Sequence, residues 1–100
     1  MHIISRKKLL DAAKRFRDAE VQLDAWYRTA KTARWASLAD VRRVYSHADG
    51  VKGRGGAVYT VFNLCGNKYR LITEIFYKDL TILIRHVLTY AEYDTEDWKK

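Results

Sequence analysis

Residues that could hold an anion and move a proton concentrate in the second half of this 100-residue chain. Lys68 and Arg70 stand two apart, Arg85 and His86 are adjacent, and Tyr90 and Tyr93 are three apart. Arginine presents a planar, permanently charged fork that can grip two phosphate oxygens, and lysine supplies a point charge. Histidine exchanges protons near neutrality, whereas tyrosine does so only when neighbouring cations lower its pKa. Aromatic rings can also stack on splayed bases. A ribonucleotide carries its own nucleophile, the 2′-hydroxyl. A protein cutting beside it has to orient the phosphate, neutralise its oxygens and move protons at the 2′- and 5′-oxygens. Lys68, Arg70, His86, Tyr90 and Tyr93 carry side-chain types that those tasks call for. Arg85, His86, the turn residue Asn67, and Lys52 and Arg54 of a glycine-rich stretch are candidate RNA contacts.

Other chemistries find less support. His2, His47, His86 and Cys65 lack metal-ligand spacing, so no metal is assigned, and no cofactor motif is present. The glycines from Gly50 to Gly56 match neither a dinucleotide fingerprint nor a P-loop. Glu92, Asp94, Glu96 and Asp97 read as a solvated face, and Tyr59, Tyr69 and Tyr77 as sheet packing. Cys65, beside a turn, reads as structural, with nothing to suggest an oxidising compartment.

Positioning these groups falls to an α+β chain with helices first and strands after. His2-Ile3-Ile4 is an apolar stub with the makings of an edge strand. A helix begins after Ser5, with Leu9, Leu10, Ala13 and Phe16 on its apolar face. A second runs from about Asp18 to Ala33, its stripe formed by Val21, Leu23, Trp26, Tyr27 and Ala30. Ser37-Leu38-Ala39-Asp40 is a capping box with Asp in place of Glu, starting a short helix to Val44 or Tyr45. Ser46 to Gly56 reads as a loop. Three strands follow over 57–64, 68–77 and 80–87, with turns at Gly66-Asn67 and Lys78-Asp79, and a short tail over 91–98. The expected fold is a single domain, residues 1–100, with N-terminal helices packed on a small antiparallel sheet of three to four strands. Alternation in the second strand turns Tyr69, Leu71, Thr73, Ile75 and Tyr77 toward the helices. It leaves Lys68 and Arg70, together with Arg85 or His86, on an open face.

Charge adds a bias. The net charge is +7. Met1–Arg54 holds thirteen Lys/Arg against six Asp/Glu, and Gly55–Lys100 holds six of each. A basic half suits a polyanionic partner. No apolar run is long enough to span a bilayer, and the N-terminus lacks the order of a signal peptide, so the expected location is the cytoplasm.

Two long blocks carry a family resemblance. Val61-Phe62-Asn63-Leu64-Cys65-Gly66-Asn67-Lys68-Tyr69-Arg70-Leu71-Ile72 resembles the VFNI-x-GNKYRLI block of HigB toxins, in the RelE-like superfamily. Ile84 to Asp94 resembles their closing THAEYD block, and His2-Ile3-Ile4-Ser5 and Ala30-Lys31-Thr32-Ala33-Arg34-Trp35 are also similar. The resemblance implies a RelE-like fold and a metal-independent, ribosome-dependent mRNA endoribonuclease, the toxin of a type II toxin–antitoxin pair. It implies a HigA-like helix-turn-helix antitoxin as partner, with operator DNA reached only through that antitoxin. Residue by residue, it makes Arg70 the transition-state cation, with Lys68 beside it, Arg85 the basic position of the last strand, and Tyr93 the tyrosine of the AEYD element. The family's histidine falls on Tyr90 here, with His86 four residues earlier. That departure sustains a second reading, a non-catalytic antitoxin- or ribosome-binding protein of the same fold. A basic DNA-binding domain is a third, although no segment reads as a helix-turn-helix.

Overall fold

The computed structural model describes residues 1–99. Its elements are β1 (His2–Ile4), α1 (Arg6–Arg15), α2 (Glu20–Thr32), α3 (Leu38–Val44), β2 (Asp49–Lys52), β3 (Val58–Leu64), β4 (Tyr69–Phe76), β5 (Thr81–Thr89) and α4 (Tyr90–Asp94). The strands form one sheet in the order β1-β5-β4-β3-β2, antiparallel except for β1, which runs parallel to β5. The sheet is therefore mixed and five-stranded, not antiparallel with three to four. The second edge comes from the supposed loop. Asp49-Gly50-Val51-Lys52 has poor strand propensity, yet it pairs with Val58–Val61.

The helices cover one face of this sheet. Leu9, Ala12 and Phe16, then Leu23, Trp26 and Ala30, and Val41 of α3 bury against Phe62, Leu64, Leu71, Ile82 and Ile84. Trp26 meets Phe62 edge-on at 5.3 Å. The buried stripe of α1 is rotated from the expected one, since Leu10 remains 51% exposed and Ala12 takes its place. Val21 of α2 is 78% exposed. Ser5 starts α1 from the left-handed region and makes no side-chain cap. Ser37 does cap α3, its Oγ accepting from the Asp40 amide, while Asp40 accepts from the Ala36 amide at 2.9 Å.

A second, smaller cluster lies on the opposite face. Tyr59, Val61 and Ile72 are buried there beneath Trp98, in a turn of 3-10 helix over Asp97–Lys99. That face is thus roofed by the tail rather than open. A register shift in the β4–β5 pairing pairs Ile72 with His86 but Thr73 with Ile84, so Arg85 faces no partner. The bulge returns Val87 to the helix-facing core, three residues after Ile84, and sends Leu88 to the other cluster. This is why neither alternating set of the third strand reads as cleanly polar.

Candidate functional site

Arg70 lies in β4 between Asn63 of β3 and Leu88 of β5, on the face away from the helices. Only 9% of it is exposed. The turn that precedes β4 supplies part of its support. Cys65 and Gly66 both take positive φ (53° and 67°), and Lys68 closes the turn by donating its amide to the Cys65 carbonyl. From there Arg70 Nη1 donates to the Asn67 carbonyl at 3.0 Å and to the Tyr69 carbonyl at 3.1 Å. Its guanidinium carbon sits 5.1 Å from the Tyr90 ring centre and 5.5 Å from that of Tyr93. Among the described residues it has no carboxylate within ion-pair distance. Carbonyl dipoles and ring faces compensate part of the cost of burying this charge. The edge formed by Nε and Nη2 is left to bind an anion in two-pronged fashion.

The two tyrosines come from α4, which starts on a full capping box. Thr89 Oγ1 accepts from the Glu92 amide, and Glu92 Oε1 accepts from the Thr89 amide at 3.0 Å. Arg15 of α1 holds Glu92 at 3.3 Å, tying the tail to the helical layer. The Thr89 amide, joined by the Arg15 side chain, keeps the Glu92 carboxyl below its usual range. Spacing of three places Tyr90 and Tyr93 on one face of the helix. Tyr93 stacks on Trp98 at 5.2 Å, and Trp98 Nε1 donates to the Tyr93 carbonyl at 2.8 Å. Burial, followed by the nearby Asp49 carboxylate, pushes the Tyr93 hydroxyl up despite Arg70 and Lys99. This reverses the expectation that cations would make it a proton acceptor. Tyr93 stays protonated near neutral pH and is equipped to donate. Tyr90 is 52% exposed, and its ring forms an outer wall over the arginine.

A cleft of about 410 Å³ opens beside Arg70. Val61, Asn63, Arg70 and Tyr93 line one part of it, and Arg42, His47 and Asp49 the other. Arg42 Nε fixes the connection between α3 and β2 by donating to the Ala48 carbonyl at 2.8 Å, and its Nη2 lies 3.7 Å from Asp49. A second cleft of about 660 Å³ adjoins it, reaching Gly66 and Asn67 and sharing Ser46, His47, Ala48 and Asn63. Arg42, His47 and Asn63 were not singled out in the sequence as anion-site residues. No spacing signals them, because strand pairing and the path out of α3 bring them together.

The remaining sequence-named residues scatter. Lys68 forms an ion pair with Asp18, whose other oxygen accepts from the Tyr69 hydroxyl at 2.6 Å. Those partners hold Asp18 below and Lys68 above their ordinary values. Lys68 therefore serves the helical side and does not share an open face with Arg70. It precedes the first residue of β4, so strand alternation does not govern it. Arg85, at the bulge, reaches Glu74 at 3.6 Å. His86 sits across from Ile72, and burial, then Lys8 and Arg85, lowers its pKa. The Asn67 side chain accepts from Asn63 at 3.5 Å, at the rim of the second cleft. Lys52 and Arg54 are exposed at the β2–β3 hairpin. Lys52 pairs with Val58, about 17 Å along β3 from the Arg70 partner Asn63, and Arg54 lies in the turn beyond it.

Comparison with known proteins bears on what such a site serves. Residues 19–96 match the family described as HigB_toxin, RelE-like toxic component of a toxin-antitoxin system. The chain is similar to the mRNA interferase toxin HigB of Escherichia coli (strain K12), 30% identical over 94% of this chain and 88% of that protein. It has the same identity and coverage to the mRNA interferase HigB of Shigella flexneri.

Proposed function

The chain belongs to the HigB family of RelE-like toxins, and from that premise we propose that it is the toxin of a type II toxin–antitoxin pair and cleaves messenger RNA on the ribosome. The observation that carries this reading is Arg70, a residue nine-tenths buried, with no carboxylate partner and no hydrogen bond at Nε or Nη2 among the described residues. A phosphodiester supplies the missing anion. Its non-bridging oxygens gain negative charge as the 2′-oxygen attacks, and a fixed cation stabilises that transition state more than the ground state. The 2′-oxygen-to-phosphorus bond forms as the phosphorus-to-5′-oxygen bond breaks. This leaves a cyclic phosphate and a 5′-hydroxyl, with Tyr93 donating a proton to the departing oxygen. Tyr90 flanks the same cation, where its exposed ring can stack on a base. No metal is required, because RNA brings its own nucleophile. The partner in this reading is a HigA-like helix-turn-helix antitoxin, through which the pair reaches operator DNA, and the setting is the cytoplasm.

A second reading, a ribosome- or antitoxin-binding protein that does not cut, draws on one observation. Of the two tyrosines beside Arg70, burial pushes the Tyr93 hydroxyl up, and Tyr90 stands where the resemblance places a histidine. Primer extension on a translated message separates the two. Cleavage by the wild type, reduced roughly 10²–10³-fold by Arg70→Ala, is the expected result. Translation arrest on intact message favours the second reading.

A further inference from the structure

We propose that His47 is the proton acceptor for the attacking 2′-hydroxyl, an assignment that rests on the cleavage reading above. Among the described residues, the groups that touch Arg70 include donors but no base. Nη1 is occupied by carbonyls, Tyr93 is held protonated, and the nearest carboxylate in the cleft, Asp49, lies beside Arg42. Cleavage by internal attack needs a group that takes one proton near neutral pH, and imidazole is the side chain suited to that. Of the three histidines, His47 alone lines the cleft that contains Arg70 and Tyr93. His86 belongs to a different cleft with Lys8 and Arg15, and His2 lies on β1 at the sheet's far edge.

The placement of His47 is built rather than loose. Its connection is a tight turn in which the Ala48 amide donates to the Tyr45 carbonyl at 3.0 Å. Ala48 is buried, and Arg42 bonds the Ala48 carbonyl from α3. The imidazole itself is exposed, and His47 lines both adjoining clefts. A strand of RNA crossing from one cleft to the other passes His47 at their shared rim. Arg70 and Tyr93 lie on one side, and the Gly66–Asn67 turn on the other. The scissile phosphate over Arg70 then has its two proton-transfer groups on different walls. His47 faces the 2′-oxygen from the α3–β2 connection, and Tyr93 faces the 5′-oxygen from α4.

The step balances. His47 takes the 2′-hydroxyl proton as the 2′-oxygen bonds to phosphorus, and Tyr93 gives its proton to the 5′-oxygen as that bond breaks. Imidazolium then returns a proton to the phenolate through water, restoring both groups. Nothing in this cycle depends on position 90 carrying a histidine. The titratable and charged groups around His47 are Arg42 from α3, Asp49 from β2, Arg70 from β4, Tyr93 from α4 and Tyr45 in its own connection.

The test is the cleavage rate of a ribosome-bound message by the full chain across pH, for the wild type, His47→Gln, His47→Ala and Arg70→Ala. His47→Gln is expected to lose about 10²–10⁴-fold in rate while binding the same message normally. Its pH–rate profile should lose the limb that a basic group contributes, and added imidazole should restore part of the activity of His47→Ala. An exposed side chain can be replaced without unfolding the chain. Wild-type rate and pH profile in His47→Gln, with Arg70→Ala inactive, would overturn the role of His47 and leave the cleavage reading standing. A wild-type protein that leaves message intact would overturn both.

Discussion

The two faces of the sheet are built to different standards. On the helical face, large apolar side chains from α1, α2 and α3 close over β3, β4 and β5, with Trp26, Phe62, Leu71, Ile82 and Ile84 almost fully buried. On the other face, Tyr59, Val61 and Ile72 are capped by Trp98, with Tyr93 and Leu88 packed beside them, and the tail that carries Trp98 begins as a five-residue helix. The first face makes the fold. The second also holds an arginine that has no ion-pair partner among the described residues, and its roof supplies Tyr90 and Tyr93. A covering this small can be disturbed without unfolding the protein, which is what a surface that admits a polynucleotide needs. A buried charge that the fold leaves unneutralised marks the place where stability gives way to function.

Matched substitutions in the two faces test this division most strongly. Trp26→Ala should cost about 3–5 kcal/mol, enough to unfold a domain of this size, measured by denaturant melting. Trp98→Ala should leave the helical core folded with a smaller loss of stability, yet abolish most cleavage because Tyr93 loses its stacking partner. Equal destabilisation by the two would break the distinction. A smaller effect is expected at the cap. Thr89→Ala should cost about 1 kcal/mol, confined to faster amide exchange in residues 89–98. Glu92 adds a pH signature in the same segment. Its folded pKa lies below the ordinary 4.5, so its contribution is complete above that value and disappears as the pH falls through the lowered one. Exchange in the tail should therefore rise in acid before exchange in α2 does.

Much of the first face was legible in the chain. Helices before strands, the cap at Ser37 and the bounds of β3 and β4 all follow from apolar spacing and turn residues. Arg70 also falls on the face that alternation assigns it, although covered by the tail instead of exposed. The second face was harder to read, for separate physical reasons. Gly50 hides β2, which exists through its pairing with β3. The bulge at Arg85 changes the alternation of β5 partway along. Lys68 belongs to a turn and answers to Asp18 across the fold. The capping box Thr89-Tyr90-Ala91-Glu92 goes unread in a segment whose acidic residues read as a solvated face, and it starts the helix one residue earlier than the tail suggests. His47 carries no local signal at all, because its relation to Arg70 is created by the path from α3 into β2.

The central claim is that Arg70 is a seat for a phosphodiester, and its side-chain Nε–H resonance reports on that directly. The measurement is a titration of the full chain with a 2′-O-methylated, uncleavable oligoribonucleotide, following the arginine Nε–H signals by NMR. A saturable shift of the Arg70 signal, accompanied by the Tyr93 ring, is the expected result. An Arg70 signal that stays fixed while Arg54 at the β2–β3 hairpin responds would contradict it and move the RNA to the opposite end of the sheet.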